Sequence, residues 1–122
     1  MAISDFTKQA FHVESYVAEF IVSQGWTILA RNFRRVGSEL DIVAMKKQTL
    51  VVIEVKWRRQ KIRFGEDLRA LVGGRKMASL RRGCQAFLVQ ERLNPEHIRF
   101  DLAIVTPGLG RLWQLDYRVG VA

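Results

Sequence analysis

Only one cysteine, Cys84, occurs among the 122 residues of the chain. A single cysteine excludes an internal disulfide, and proteins without disulfides are typical of reducing compartments. No apolar run approaches the roughly 20 residues that a membrane-spanning helix needs. The stretch Met1–Lys8 also lacks the charged and apolar regions of a secretory signal. These absences argue against secreted, membrane-spanning and disulfide-stapled proteins, and they favour a cytoplasmic protein without a membrane partner.

The sequence also lacks internal repeats, low-complexity tracts and any linker long enough to divide it. Its composition, 48% hydrophobic and 26% charged, is close to that of ordinary globular proteins. A chain of this length buries roughly two thirds of its unfolded surface, which is enough for a hydrophobic core. The sequence therefore predicts one domain that spans residues 1–122.

Hydrophobic periodicity predicts two helices and five strands. The first helix follows Ser4, a suitable cap, and ends at Gly25; the second spans about 74–92, with Gly73 and Gly74 at or before its start. The strands are predicted at 26–33, 39–45, 50–57, 100–106 and 112–119, the last at a sheet edge. The order is αβββαβ followed by β, so we expect an α/β fold with a central mixed sheet flanked by helices.

The second and third predicted strands carry the most informative pattern. In 39–45, alternation places Leu40, Ile42 and Ala44 on one face and Glu39, Asp41 and Val43 on the other. The stretch 50–57 begins with apolar residues on both faces, which is typical of a central, covered strand. Glu54 and Lys56 then interrupt one of these faces.

Asp41, Glu54 and Lys56 are expected to meet on one patch of the sheet. If the two strands form a hairpin around Lys47, Asp41 lies roughly opposite residue 54. Buried charges must be paired or must bind a metal. Carboxylates from two strands can hold Mg²⁺, and a lysine beside them can orient water or stabilise charge on a phosphate. The alternative is a structural set in which both carboxylates pair with Lys56 and Arg34.

The positive charge of the chain is concentrated in residues 56–82. This stretch holds ten basic and two acidic residues, so its excess equals the net charge of +8 for the whole chain. Such a concentration favours a polyanionic partner, nucleic acid above all. The alternative is a solvated basic face that keeps the protein soluble.

An ordered set of short motifs resembles a known family. They are Glu14, Asn32-Phe33-Arg34, Glu39-Leu40-Asp41-Ile42, Ile53-Glu54-Val55-Lys56-Trp57-Arg58, Phe64-Gly65, Lys76 and Arg99-Phe100-Asp101. Together they are similar to the PD-(D/E)xK nuclease superfamily, and most closely to its bacterial YraN branch of endonuclease-like proteins. The resemblance implies a restriction-endonuclease-like fold.

The resemblance also implies an activity: a Mg²⁺- or Mn²⁺-dependent endonuclease that cleaves DNA, with branched or repair-intermediate DNA as candidate substrates. The implied catalytic residues are Asp41, Glu54, Lys56 and Glu14, and the implied metal ligands are Asp41, Glu54, Val55 and Glu14. The implied nucleic-acid contacts are Arg34, Arg58, Arg59, Lys61, Arg63, Arg75 and Lys76. Junction-cutting members of the superfamily act as dimers, which suggests a homodimer. The alternative is a non-catalytic nucleic-acid-binding protein with the same fold.

Several residues have a structural interpretation beside the functional one. Glu14 either belongs to the site or pairs with a buried cation such as Lys76, and Lys76 either contacts phosphate or neutralises a buried acid. Glu39 either supports the site or forms a surface ion pair. Arg99 and Asp101, two residues apart on one strand face, favour a structural ion pair. Trp57 and Cys84 are expected in the core, and His12 and His97 lack the spacing of a zinc site.

Overall fold

The computed structural model describes residues 5–59, 73–110 and 112–121, with side chains from residue 12 onward. This part of the chain forms two helices and one five-stranded sheet. In chain order the elements are α1 (Asp5–Ser23), β1 (Thr27–Arg35), β2 (Ser38–Lys46), β3 (Thr49–Trp57), α2 (Gly74–Glu91), β4 (His97–Pro107) and β5 (Trp113–Arg118). The predicted αβββαβ order with an additional strand is confirmed.

The five strands lie in the sheet in the same order as in the chain. β3 and β4 are parallel and every other neighbouring pair is antiparallel, which confirms a mixed sheet with β5 at an edge. The β1–β2 turn, Val36-Gly37, has φ angles of 48° and 71° at its two residues. A two-residue turn with both φ angles positive matches the right-handed twist of the flanking strands.

Each helix covers one face of the sheet. Val17 and Ile21 of α1 pack with Ile53 of β3, whereas Leu80 and Phe87 of α2 belong to the core on the opposite face. The central strand β3 is therefore buried on both sides over its first half, as its two apolar faces predict. The polar side chains at the end of β3 therefore lie next to the part of the strand that the two helices cover.

Leu40 does not lie on the predicted face. It packs in the α2 cluster together with Val43, while Ile42 and Ala44 pack in the α1 cluster. Two residues three apart share a face only where strand alternation breaks. The break lies at Asp41, because the pairing of β2 with β3 ends at Ile42 opposite Ile53. From this point β2 diverges from β3, and Asp41 stands at the divergence.

The helix ends agree closely with the sequence, whereas β4 begins at His97, three residues before its predicted start at 100. α1 ends at Ser23, two residues before Gly25, and α2 begins at Gly74, directly after Gly73. The proposed cap Ser4 and the Phe64-Gly65 motif lie outside the described residues. Within the described ranges, neither helix combines the length and the apolar character needed to cross a membrane.

Candidate metal and nucleic-acid site

Asp41 marks the place where β2 separates from β3. Its Oδ2 atom accepts a hydrogen bond of 2.8 Å from the backbone N–H of Val55. That N–H faces the gap left where the β2–β3 ladder stops, so a side-chain carboxylate replaces the missing backbone partner. The hairpin thus places Asp41 beside the Glu54–Val55 peptide, as its register predicts.

Glu54 is the most buried carboxylate of this region. Its side chain is 5% exposed, and its Oε1 atom lies 3.3 Å from the Nζ atoms of both Lys56 and Lys76. Lys56 leaves the same strand face two residues later, as predicted. Lys76 reaches Glu54 from the first turn of α2, so three elements, β2, β3 and α2, converge on one point.

The second oxygen of Glu54 has an unusual environment. Oε2 is buried and accepts no hydrogen bond from any described residue, although buried carboxylate oxygens are normally satisfied. Burial and the nearby charge of Glu54 raise the pKa of Asp41 to about 7 from its ordinary value of 3.8. Because the charges of Asp41 and Glu54 repel each other, a cation near both carboxylates would be stabilised.

Glu14 approaches the same acids from α1. With the Asn32 amide turned so that its nitrogen faces the carboxylate, that nitrogen donates to both Glu14 oxygens, at 3.0 and 3.2 Å. Burial raises the pKa of Glu14, and the hydrogen bond from Asn32 opposes that shift. Lys76, the cation considered as a partner for Glu14, contacts Glu54 instead.

The arrangement meets some of the requirements of a binding site for a hard divalent cation. Asp41 and Glu54 supply carboxylate oxygens, and an unsatisfied buried oxygen is the kind of group that a cation would complete. Among the described side chains, however, no group of three or more acids, histidines or cysteines is arranged to hold a metal ion. A site of this composition suits Mg²⁺ or Mn²⁺, which retain waters and bind through one or two carboxylates together with substrate phosphate.

The described members of the predicted nucleic-acid contacts lie near the end of the sheet where β3 finishes; this region is called the site end. Arg34 lies at the end of β1 and is paired with Glu39 at 3.2 Å; Arg34 is largely exposed and Glu39 is half-buried. Arg58 and Arg59 follow β3 directly, and Arg75 is exposed in the first turn of α2. Lys61 and Arg63 lie outside the described residues.

Three structural interpretations are confirmed away from this region. Arg99 and the fully buried Asp101 form an ion pair of 2.9 Å. Trp57 lies on the opposite face from Lys56 and packs against Trp113 with ring centroids 5.8 Å apart. Cys84 is buried in the α2 core, and burial raises its pKa to about 11, so it is a core thiol.

Asn32 is the neighbour of the site that sequence reasoning missed. The sequence marks Asn32 only as part of a motif, yet it holds the Glu14 carboxylate from a left-handed backbone conformation with φ of 53°. Asparagine is one of the few residues other than glycine that adopt this conformation readily. An asparagine inside a predicted strand is the one local signal that could have indicated its role.

Comparisons with known proteins identify the family of the chain. Residues 13–105 match the family described as "Uncharacterised protein family UPF0102". A UPF0102 protein of Trichlorobacter lovleyi is 39% identical over 93 residues, covering 75% of this chain and 72% of the relative. UPF0102 protein STH1475 of Symbiobacterium thermophilum is 36% identical over 95 residues, covering 78% and 79%. The chain therefore belongs to the UPF0102 (YraN) family, which is a PD-(D/E)xK nuclease-like family.

Proposed function

We propose that this protein is a Mg²⁺- or Mn²⁺-dependent endonuclease that hydrolyses phosphodiester bonds of DNA. The observation that carries the proposal is the buried Oε2 atom of Glu54, which has no hydrogen-bond partner among the described residues and lies near the carboxylate of Asp41. Asp41 and Glu54 would hold the cation, with the backbone carbonyl of Val55 as a third oxygen and Glu14 at the border of the site. When bound, the cation would supply an activated water and neutralise charge on the phosphate.

Lys56 has the position required of a residue that acts on the reacting phosphate. Its Nζ atom lies 3.3 Å from Glu54, and its side chain is 33% exposed. The Lys56 side chain therefore contacts a buried carboxylate and is also partly exposed to solvent. From there it can donate a hydrogen bond to an attacking water or to a phosphate oxygen that gains charge in the transition state.

The basic residues of the site end support a nucleic-acid substrate. Arg34, Arg59 and Arg75 come from three separate elements or their ends and are exposed, so they can contact successive phosphates. DNA, a cytoplasmic location and action on branched DNA as a homodimer belong to the same proposal. They follow from the family resemblance and from the charge, and each needs its own measurement.

The decisive experiment combines cation binding with cleavage. Titration calorimetry with Mg²⁺ and Mn²⁺ should detect binding to the wild type and its loss in Asp41→Asn and Glu54→Gln. The same three proteins should be incubated with linear duplex and four-way junction DNA. Asp116→Asn is the matched control, because Asp116 pairs with Arg118 on the edge strand β5 and lies outside the site.

We expect wild type and Asp116→Asn to cut DNA only with a divalent cation, and Glu54→Gln to lose at least about a hundredfold in rate. Cleavage by Glu54→Gln at the wild-type rate would contradict the proposal. So would the absence of any cut by the wild type with either cation on either substrate.

The second candidate is a nucleic-acid-binding protein without cleavage. It is favoured by the two lysines on Glu54, which neutralise that carboxylate without a cation. Salt-dependent DNA binding with no cation-dependent cut would support it, and the absence of DNA binding at low salt would exclude it.

A further inference from the structure

Two ammonium groups share one oxygen of Glu54. The Nζ atoms of Lys56 and Lys76 each lie 3.3 Å from Oε1, while Oε2 has no partner among the described residues. One buried carboxylate needs only one positive charge for neutrality, and two neighbouring ammonium groups repel each other. The second lysine therefore adds a charge that Glu54 alone does not require.

The two lysines differ in how they are held. Lys56 lies within β3, where its backbone is paired with Ile104 of the parallel strand β4. Lys76 lies in the first turn of α2, which has no side-chain cap on its first N–H groups. Its side chain is 37% exposed, and its flexible four-carbon stem can turn the ammonium group to solvent. Lys76 is the slightly more exposed of the two lysines, 37% against 33%, and it lies at the end of a helix beside the sheet, so we take Lys76 as the lysine that leaves Glu54.

We propose that Lys76 is a displaceable counter-ion, which neutralises Glu54 while no cation is bound and turns toward DNA phosphate when a divalent cation binds. This inference rests on the proposed function, because it assigns a regulatory role within the same site. A cation held by Asp41 and Glu54 would bring two positive charges close to two ammonium groups, and the less constrained group would move away. Cation and DNA would then favour the same state of Lys76. A bound cation would therefore raise the affinity of the protein for DNA, and bound DNA would raise its affinity for the cation.

The first test measures Mn²⁺ affinity by calorimetry in wild type, Lys76→Met and Lys76→Arg. Removal of the competing ammonium group should make Lys76→Met bind Mn²⁺ about tenfold more tightly, whereas Lys76→Arg, which retains the charge, should resemble the wild type. Arg81→Met is the matched control: Arg81 is exposed on the same helix and its substitution removes the same net charge. It should change the affinity much less than Lys76→Met.

The second test measures DNA affinity by fluorescence anisotropy, with and without Ca²⁺ as a cation probe. Ca²⁺ should strengthen DNA binding by the wild type and by Arg81→Met, and strengthen it less in Lys76→Met. An equal effect of Ca²⁺ in all three proteins would overturn the proposed coupling.

The outcomes separate this inference from the proposed function. If the wild type binds Mn²⁺ and Lys76→Met binds it equally or more weakly, the inference is wrong while the nuclease proposal stands. If only Lys76→Met binds Mn²⁺, the inference is supported even though the wild type fails the cation test. If neither binds, the inference is overturned. Lys76→Gln serves as a second variant, and failure of both neutral variants to fold would also overturn it, because a displaceable ion pair is not required for folding.

Discussion

At neutral pH, the ionised carboxylate of Asp41 lowers the stability of the folded protein. Its carboxylate is partly buried beside Glu54, with Glu14 and Glu39 also near, and its pKa is raised from 3.8 to about 7. The folded state therefore binds more protons than the unfolded state between these two values. Stability must fall as pH rises through this window, since the folded protein resists losing that proton.

Asp41→Asn should remove this dependence. An asparagine side-chain oxygen can still accept the hydrogen bond from Val55 N–H, but it carries no charge. Without divalent cations, we expect the stability of Asp41→Asn relative to the wild type to increase by on the order of 2 kcal/mol between pH 4 and pH 7.5. Urea denaturation in EDTA across this range measures the difference. A constant or shrinking difference would show that Asp41 is ionised throughout.

At the scale of single residues, the local sequence pattern predicts the central residues of the site better than it predicts the residues that contact them. Asp41, Glu54 and Lys56 were placed together because hairpin register is set by a short turn and because charge in an apolar strand is conspicuous. The sequence leaves the role of Lys76 open between phosphate and a buried acid, and it does not predict the Asn32–Glu14 contact. Each joins elements whose approach depends on the packing of a helix on the sheet, and no local spacing encodes that distance.

Among the elements, α2 crosses β2 at unusually close range. A Cβ atom on Gly83 would contact the Ser38 hydroxyl and lie 2.9 Å from Ser38 Cβ and 3.1 Å from a Leu40 methyl group. Ser38 is itself fixed, since its hydroxyl donates to the Ser79 carbonyl at 2.7 Å. Only glycine permits this approach, and the approach positions the helix that carries Lys76.

Gly83→Ala should therefore destabilise the protein although alanine is the better helix former. We expect a loss of about 1–3 kcal/mol from overpacking, measured by urea denaturation. Gly74→Ala is the control within the same helix, because a Cβ atom there meets nothing within 4 Å; it should be neutral or mildly stabilising. Equal effects of the two substitutions would show that α2 shifts freely on the sheet.

A second polar cluster joins β4 to the edge strand β5. Asp101 of β4 accepts hydrogen bonds from Arg99, from the Tyr117 hydroxyl of β5 at 2.6 Å and from the Gly120 N–H at 2.9 Å. The Arg99 guanidinium group also lies over the Trp26 ring, 5.0 Å from its centroid. One buried carboxylate thus connects β4, β5 and the residues that follow β5.

Asp101→Asn should cost about 3–5 kcal/mol of unfolding free energy, because it leaves a partly buried guanidinium group without its counter-charge. Asp116→Asn removes an exposed pair with Arg118 and should cost less than about 1 kcal/mol. Denaturation of both variants in the same buffer makes the comparison. A cost for Asp101→Asn as small as that of the control would mean that the cluster does not hold the edge strand.

Element boundaries followed from periodicity because a core on both faces of one sheet imposes clear patterns on each strand and helix. The exception is instructive: Leu40 was placed with Ile42 and Ala44, and the structure places it with Val43 on the other face. Simple alternation assumes an uninterrupted strand. β2 is interrupted at Asp41, so the error in the predicted pattern falls at the candidate functional residue.

At the scale of the whole molecule, charge and topology point to the same end of the sheet. The net charge of +8 equals the excess carried by residues 56–82, and the described part of that stretch includes the end of β3 and the first turn of α2. The β1–β2 turn lies at this end as well, whereas the β2–β3 turn, with exposed Lys47, lies at the opposite end. Position, rather than total charge, should therefore decide how each basic residue contributes to binding a polyanion.

The salt dependence of DNA binding tests this directly. Each lost phosphate contact should reduce the slope of log affinity against log salt concentration by about 0.9. In EDTA, Arg59→Gln at the site end should reduce the slope by about this amount. Lys47→Asn removes the same charge from the far turn, where asparagine suits the left-handed backbone with φ of 55°, and it should leave the slope unchanged. Equal reductions in both variants would mean that DNA responds to the net charge of the protein and not to a surface at the end of β3.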